Sequence, residues 1–175
     1  MNLPNKLTVL RIILVPVFVI VLLVNIPYGE LVAAIVFSLA ALTDSLDGYL
    51  ARRWQQVTRL GIILDPLADK LLITAALISL VELGQIPGWV AIVILGREFA
   101  VSGLRTVKAG EGVDIPASRL GKTKTITQIL AVLLLILQPS YQGFIPLPLG
   151  VWAMYLAVVI TLVSGIEYFY RFQNA

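Results

Sequence analysis

Residues 44–52 read DSLDGYLAR and residues 61–69 read GIILDPLAD, and both segments border long apolar runs. They contain four aspartates, Asp44, Asp47, Asp65 and Asp69. Insertion of an ionisable side chain into the membrane interior costs about 2.5–3.5 kcal/mol of free energy. Such residues are therefore retained mainly where they have a function. The first pair is spaced by three residues and the second by four, so each pair lies on one face of a helix. Two helices joined by a short loop can therefore direct four carboxylates into one space.

The composition excludes an ordinary soluble domain. The chain has 175 residues, of which 59% are hydrophobic and 13% charged, and its mean hydropathy is +0.95. These values are typical of an integral membrane protein whose partners include membrane lipids, and we expect no nucleic-acid partner. The first hydrophobic segment does not end in a small-residue cleavage site, so we expect it to be kept as a span.

Six segments are long and apolar enough to cross a membrane, since a helical span needs about 20 mostly apolar residues. They do not alternate as barrel strands do, and backbone groups in lipid must be hydrogen-bonded within the segment. We therefore predict an all-α integral membrane protein with six transmembrane helices, in a single domain covering residues 1–175. The predicted spans are Leu7–Val24, Glu30–Leu50, Ile62–Val81, Pro87–Val107, Leu120–Leu137 and Leu147–Tyr168.

The Lys and Arg residues predict the orientation of these spans. Ten of the 13 lie at span ends or loops that would share one side of the membrane, and the three opposite loops contain none. The other three, Lys70, Arg97 and Arg105, lie within proposed helices. The positive-inside rule therefore places both termini in the cytoplasm of a multi-pass protein of the cell membrane, with the aspartates open to the cytoplasm.

Oxygen atoms are the available metal ligands, because the chain contains no Cys and no His. Oxygen ligands favour Mg²⁺ or Mn²⁺, and a general base must then be a carboxylate or a lysine. Four nearby carboxylates repel one another unless cations are bound, and a two-metal site suits displacement at phosphorus. Gly48, Ala51 and Gly61 each lie four residues from an aspartate, which leaves room for a bulky ligand or close helix contact. The alternative is a set of interfacial acids paired with Arg52, Arg53, Arg59 and Lys70.

The aspartate stretch resembles the signature of the CDP-alcohol phosphotransferase family, D-x-x-D-G-x-x-A-R, eight residues, then G-x-x-x-D-x-x-x-D, and every fixed position is matched. The resemblance implies a six-helix membrane enzyme, often a homodimer, that transfers a phosphatidyl or similar group from a CDP-linked donor to an alcohol and releases CMP. It also implies that all four aspartates bind metal and that Asp69 is in addition the base. The residues implied to border the cytidine diphosphate are Asp47, Gly48, Ala51, Arg52 and Gly61.

Arg97 and Arg105 lie eight residues apart in the fourth predicted span, so their guanidinium groups share one helix face. Arg97 lies ~15 Å inward from the outer end of this span, which is costly unless it faces a wet cavity or an acid such as Glu98. One interpretation is a structural ion pair. The other is recognition of an acceptor phosphate, because forked guanidinium donors suit that group.

A second basic cluster, Arg119, Lys122 and Lys124, begins the fifth predicted span. Lys122 and Lys124 would either complete the acceptor-phosphate pocket with Arg105 or only anchor the helix to anionic headgroups. At the entry to the first span, Asn5, Thr8 and Arg11 share a helix face. They could touch the nucleotide donor, but helix capping and surface anchoring explain them equally well.

The favoured function is transfer of the phosphatidyl group from CDP-diacylglycerol to glycerol 3-phosphate. The cations of the fourth and fifth spans suit a phosphorylated acceptor, and residues 96–105 and 2–8 resemble the corresponding parts of phosphatidylglycerophosphate synthases. An inositol phosphate or another alcohol is the alternative acceptor. A divalent-cation transporter is the alternative of another class, but it would require neither the spacing of Gly48, Ala51 and Arg52 nor a one-sided basic pocket.

Overall fold

The computed structural model describes the backbone of residues 3–24, 26–53, 59–112 and 119–173, and the side chains of residues 7–24, 26–43, 67–112 and 120–172. Over this part of the chain all regular secondary structure is helical. The helices are α1 Leu3–Leu23, α2 Gly29–Arg53, α3 Arg59–Glu82, α4 Gly88–Gly110, α5 Arg119–Ile136, α6 Gln138–Tyr141 and α7 Leu149–Gln173.

The six long helices correspond one for one to the six predicted segments, so the all-helical fold is confirmed. Most of them extend a few residues beyond the predicted ends, because the hydropathy criterion detects only the apolar part of a helix. The single turn of α6 was not predicted. It contains Pro139 near its start, where the missing proline N–H is not needed for an intrahelical hydrogen bond.

One helix among the described residues meets the length and composition expected of a membrane span. It is the segment Leu149–Phe172 of α7, with a mean hydropathy of 2.1. Shorter apolar stretches occur in α1, at Leu7–Leu23, and in α2, at Gly29–Thr43. The crossing of the membrane by all six long helices therefore stays a prediction.

Among the described side chains, the buried core comes mainly from the C-terminal halves of α1, α3 and α5 and the N-terminal halves of α2, α4 and α7. Helix α1 contacts α2 and α3, α7 contacts α4 and α5, and α3 touches both α4 and α5. Phe18 of α1 and Phe37 of α2 are fully buried and their ring centroids are 5.5 Å apart. These contacts place α3, α4 and α5 side by side, which determines the position of the candidate site.

Gly150 allows α7 to approach α5 closely. A Cβ atom at this position would lie 2.9 Å from the backbone nitrogen and from side-chain carbons of Leu135, which is fully buried. No side chain fits at that distance unless the helices separate. The α5–α7 contact therefore depends on a residue without a side chain, as is common where helices pack tightly.

Candidate active site

A cavity lies where α3, α4 and α5 meet. It is a small cleft that is partly open to solvent. Asp69, the predicted base, and Lys124, a predicted acceptor-binding residue, both line it. The other lining residues are Lys70, Ile73, Leu95, Glu98, Thr125 and Gln128. The structure thus brings together two residues that lie on different helices and were assigned to one reaction.

Glu98 connects this cavity to α7. Its Oε1 atom accepts a hydrogen bond from Nζ of Lys124, and Nη1 of Arg97 lies 3.3 Å from the same oxygen. Nη2 of Arg97 in turn donates to Oγ of Ser164 on α7, at 2.6 Å. The side chains of Arg97, Glu98 and Lys124 are only 10%, 15% and 12% exposed. A buried polar chain therefore runs from α5 through α4 to α7.

Arg97 and Glu98 face different helices because consecutive residues of an α-helix are about 100° apart around its axis. Glu98 lines the cavity between α3 and α5, whereas Arg97 is directed to α7. Gly165 of α7 makes room for it, since a Cβ there would lie 3.1 Å from Cγ of Arg97. The ion pair with Glu98 that was considered for Arg97 is present.

The predicted common face of Arg97 and Arg105 is confirmed, and it packs against α7. Arg97 bonds Ser164, and the guanidinium carbon of Arg105 lies 5.9 Å from the ring centroid of Tyr168, one turn further along α7. Neither arginine lines the cavity that contains Asp69. Arg105 is otherwise exposed, as is Lys122. Of the four predicted acceptor-binding residues, Lys124 is thus the one beside Asp69.

Thr8 and Arg11 are fully buried on α1. Surface anchoring is therefore the wrong explanation for these two residues, because neither side chain reaches the surface. Helix α1 packs against α2 and α3, the helices that carry the aspartates. A buried guanidinium is retained only where acceptors or anions satisfy it. Asn5 begins the same helix, but its side chain lies outside the described residues.

The four aspartate positions are helical, as predicted. Asp44 and Asp47 lie in α2, Asp65 and Asp69 lie in α3, and these two helices are in contact. Of the four aspartate side chains, the structure describes only that of Asp69. The side chains of Ala51 and Arg52 lie outside the described residues, as do the surroundings of Gly48 and Gly61. Among the side chains that are described, no group of three acidic residues is placed to hold a metal ion.

The comparisons with known proteins identify the family. A model of the CDP-alcohol phosphatidyltransferase family matches residues 1–163. The chain belongs to this family. The family resemblance of the aspartate signature is therefore confirmed.

Curated relatives of this CDP-alcohol phosphatidyltransferase match it over nearly its full length. It is 47% identical over 180 residues to the CDP-diacylglycerol–glycerol-3-phosphate 3-phosphatidyltransferase of Bacillus subtilis (strain 168), covering 96% of this chain and 93% of the relative. The protein of the same name from Rickettsia bellii (strain RML369-C) is 40% identical over 169 residues, with the same coverage. A probable phosphatidylglycerophosphate synthase of Mycobacterium tuberculosis (strain CDC 1551 / Oshkosh) is 41% identical over 177 residues, covering 97% of this chain and 81% of the relative.

Several residues that line the cavity between α3, α4 and α5 were not predicted as site residues. Lys70, Glu98 and Gln128 line it, and Nε2 of Gln128 donates to Oγ1 of Thr161 on α7, at 2.9 Å, with both residues buried. The sequence carried a signal for Gln128, because a polar residue inside an apolar span and one turn after Lys124 indicates a helix contact or a site. Lys70 directly follows Asp69 and was considered only as an ion-pair partner of the acids.

Proposed function

We propose that this protein transfers the phosphatidyl group of CDP-diacylglycerol to sn-glycerol 3-phosphate, giving phosphatidylglycerophosphate and CMP in phospholipid biosynthesis. The observation that carries the proposal is identity of 37–47%, over nearly the whole chain, to relatives named for this transfer. The juxtaposition of Asp69 and Lys124 in one cavity supports it, because the reaction needs a proton acceptor beside a site for a phosphate.

The reaction is a displacement at the phosphorus that carries the diacylglyceryl group. The acceptor hydroxyl oxygen forms the new P–O bond, the bond between this phosphorus and CMP breaks, and CMP leaves with the electron pair. Asp69 takes the hydroxyl proton. Because Asp69 lies in the same cavity as Lys124, the acceptor can be held by its phosphate while its hydroxyl faces the carboxylate.

The donor set of this chain fits a hard divalent metal. In our proposal Asp44, Asp47, Asp65 and Asp69 hold Mg²⁺ or Mn²⁺, with a two-metal site as the expected form. All four are carboxylates on two helices that touch, and the chain has no Cys or His. When bound, the metal supplies positive charge that offsets the negative charge of the donor diphosphate and of the leaving CMP.

The proposed substrate contacts come from four helices. For the CDP donor they are Asn5, Thr8, Asp47, Gly48, Ala51, Arg52 and Gly61. For the acceptor, Lys124 makes the direct phosphate contact, supported by its place in the cavity. Arg105 and Lys122 are exposed and contribute longer-range attraction, while Arg97 acts through Glu98, since its guanidinium is bonded to Glu98 and Ser164.

The protein is proposed to be one six-span domain of the cell membrane with both termini in the cytoplasm. Support comes from apolar side chains on every long helix that are more than half exposed, a surface suited to lipid. One isoleucine per helix shows this: Ile13, Ile35, Ile78, Ile92, Ile126 and Ile166. A homodimer is proposed on the family resemblance alone.

Release of CMP tests the function. Purified protein is mixed with CDP-diacylglycerol and Mg²⁺ in detergent micelles, and CMP is measured with glycerol 3-phosphate, inositol phosphate, glycerol, inositol or serine as acceptor. We expect rapid release with glycerol 3-phosphate. Faster CMP release with inositol phosphate would make inositol phosphate, and not glycerol 3-phosphate, the acceptor. Efficient use of unphosphorylated glycerol or inositol would contradict the phosphate-binding role of the cavity.

A further inference from the structure

Glu98 contacts both a cavity cation and a cation held by another helix. Its Oε1 atom bonds Lys124, which lines the cavity, and Arg97, which is fixed to Ser164 of α7. All three charged side chains are largely buried. A carboxylate bound from two sides in this way has little freedom to reorient, so Lys124 has a fixed partner.

Lys124 needs such a partner because a lysine side chain is a compact charge on a flexible four-carbon stem. Asp69 lines the same cavity and interacts electrostatically with Lys124. A direct Lys124–Asp69 pair would place the ammonium on the carboxylate that must accept a proton. The bond to Glu98 uses one of the three ammonium donors and leaves the others for an acceptor.

We propose that Glu98 is a positioning residue for the acceptor: paired with Arg97, which is itself bonded to Ser164, it keeps the Lys124 ammonium in the cavity where it meets the acceptor phosphate and not the Asp69 carboxylate. This inference rests on the proposed function. Glu98 itself does not contact the substrate in this proposal, and it acts through Lys124.

The first test is Glu98→Gln, which keeps the size of the side chain and removes its charge. We expect the KM for glycerol 3-phosphate to rise about tenfold, the factor for one weakened charge-assisted contact, while the KM for CDP-diacylglycerol stays within about twofold. Glu98→Asp, which keeps the charge on a shorter stem, should restore part of the loss. Ser164→Ala, which removes the 2.6 Å hydrogen bond to Arg97, should shift the same KM by a smaller factor.

The matched control is Glu111→Gln. Glu111 also pairs with a lysine, Lys108, at 3.3 Å, but it is exposed and lies outside the cavity. Neither KM should change in this variant. Thermal unfolding of each purified variant shows whether the helix bundle is intact, and Ser164→Ala serves as the milder probe if Glu98→Gln does not fold.

The decisive measurement is the double variant of Glu98→Gln with Lys124→Met. If Glu98 acts through Lys124, the double variant has the same KM for glycerol 3-phosphate as Lys124→Met alone. Independent effects that multiply, or an equal rise of both KM values in Glu98→Gln, would overturn the positioning role. Such a result with an active unaltered protein leaves the proposed function standing, whereas failure of the unaltered protein to release CMP overturns the function itself.

Discussion

Replacing Lys124 with Met should damage acceptor binding far more than replacing Arg105 with Ala. Lys124 is 12% exposed and lines the cavity beside Asp69, so a phosphate bound there is poorly screened by water. Loss of one charge-assisted contact costs about 1.5–3 kcal/mol, which corresponds to a rise of about 10–150-fold in the KM for glycerol 3-phosphate. Met retains the apolar bulk of the stem, so the cavity wall should persist.

Arg105 provides the comparison because it carries the same charge at an exposed position. Its guanidinium carbon is 5.9 Å from the Tyr168 ring centroid, a contact typical of an exposed cation–π pair worth about 0.5–1 kcal/mol. Arg105 does not line the cavity, so its charge acts on a bound acceptor through solvent, and loss of such an exposed charge interaction, worth about 0.2–1 kcal/mol, would raise the KM by about fivefold at most. The sequence alone assigned the two residues to the same pocket, so the comparison tests the structure directly.

The assay is initial-rate CMP release at varied glycerol 3-phosphate with saturating CDP-diacylglycerol, followed by the converse titration. In Lys124→Met, Glu98 loses one of its two cationic partners and keeps only Arg97. The thermal unfolding temperatures of both variants show whether this loss destabilises the fold. A larger acceptor defect in Arg105→Ala than in Lys124→Met would refute the placement of the phosphate in this cavity. Equal defects for both substrates in Lys124→Met would show that the lysine is structural.

Three further results are expected. Asp65→Asn should leave a folded protein with nearly no transfer and weaker Mg²⁺ binding, as measured by CMP release and metal titration; full activity would remove it from the ligand set. Asp69→Asn should lower kcat much more than affinity for CDP-diacylglycerol, because a base acts mainly in the transition state; the reverse pattern would make it a binding residue. Gly150→Ala should destabilise the protein by about 1–3 kcal/mol through overpacking against Leu135 at 2.9 Å, whereas Gly103→Ala, with open space around it, should not; equal unfolding temperatures would contradict this α5–α7 contact.

The six long helices could be predicted because each contains a long, mostly apolar segment that is bounded by residues typical of turns or by basic residues. The one-turn helix α6 could not, since four residues with a proline carry no periodic signal. Burial of Arg11 was also missed. A guanidinium near the start of a predicted span has the same appearance in sequence whether it points to headgroups or into a helix contact.

The spacing of Arg97 and Arg105 correctly predicted a common face but not the helix that this face contacts. The rotation of α4 about its axis depends on tertiary packing, and here Gly165 of α7 accommodates the stem of Arg97. That rotation directs the next residue, Glu98, into the cavity. Sequence spacing fixes relations within one helix, whereas a site built from three helices also depends on contacts between distant segments.

The charges around the cavity indicate how the enzyme could distinguish acceptors. Asp69 and Glu98 contribute two carboxylates and Lys70 and Lys124 two ammonium groups, with Arg97 adding a further positive charge beside Glu98. A phosphate monoester carries about −1.5 to −2 charge at neutral pH and can make charge-assisted hydrogen bonds of about 1.5–3 kcal/mol each, against about 0.5–1.5 kcal/mol for a neutral hydroxyl. In our proposal a neutral alcohol gains little from entering this cavity, whereas the phosphate of a phosphorylated acceptor accepts from the ammonium donors of Lys124 that its bond to Glu98 does not use. Under this proposal, selectivity for a phosphorylated acceptor arises from the difference between these two energies and requires no pocket that excludes smaller alcohols by shape.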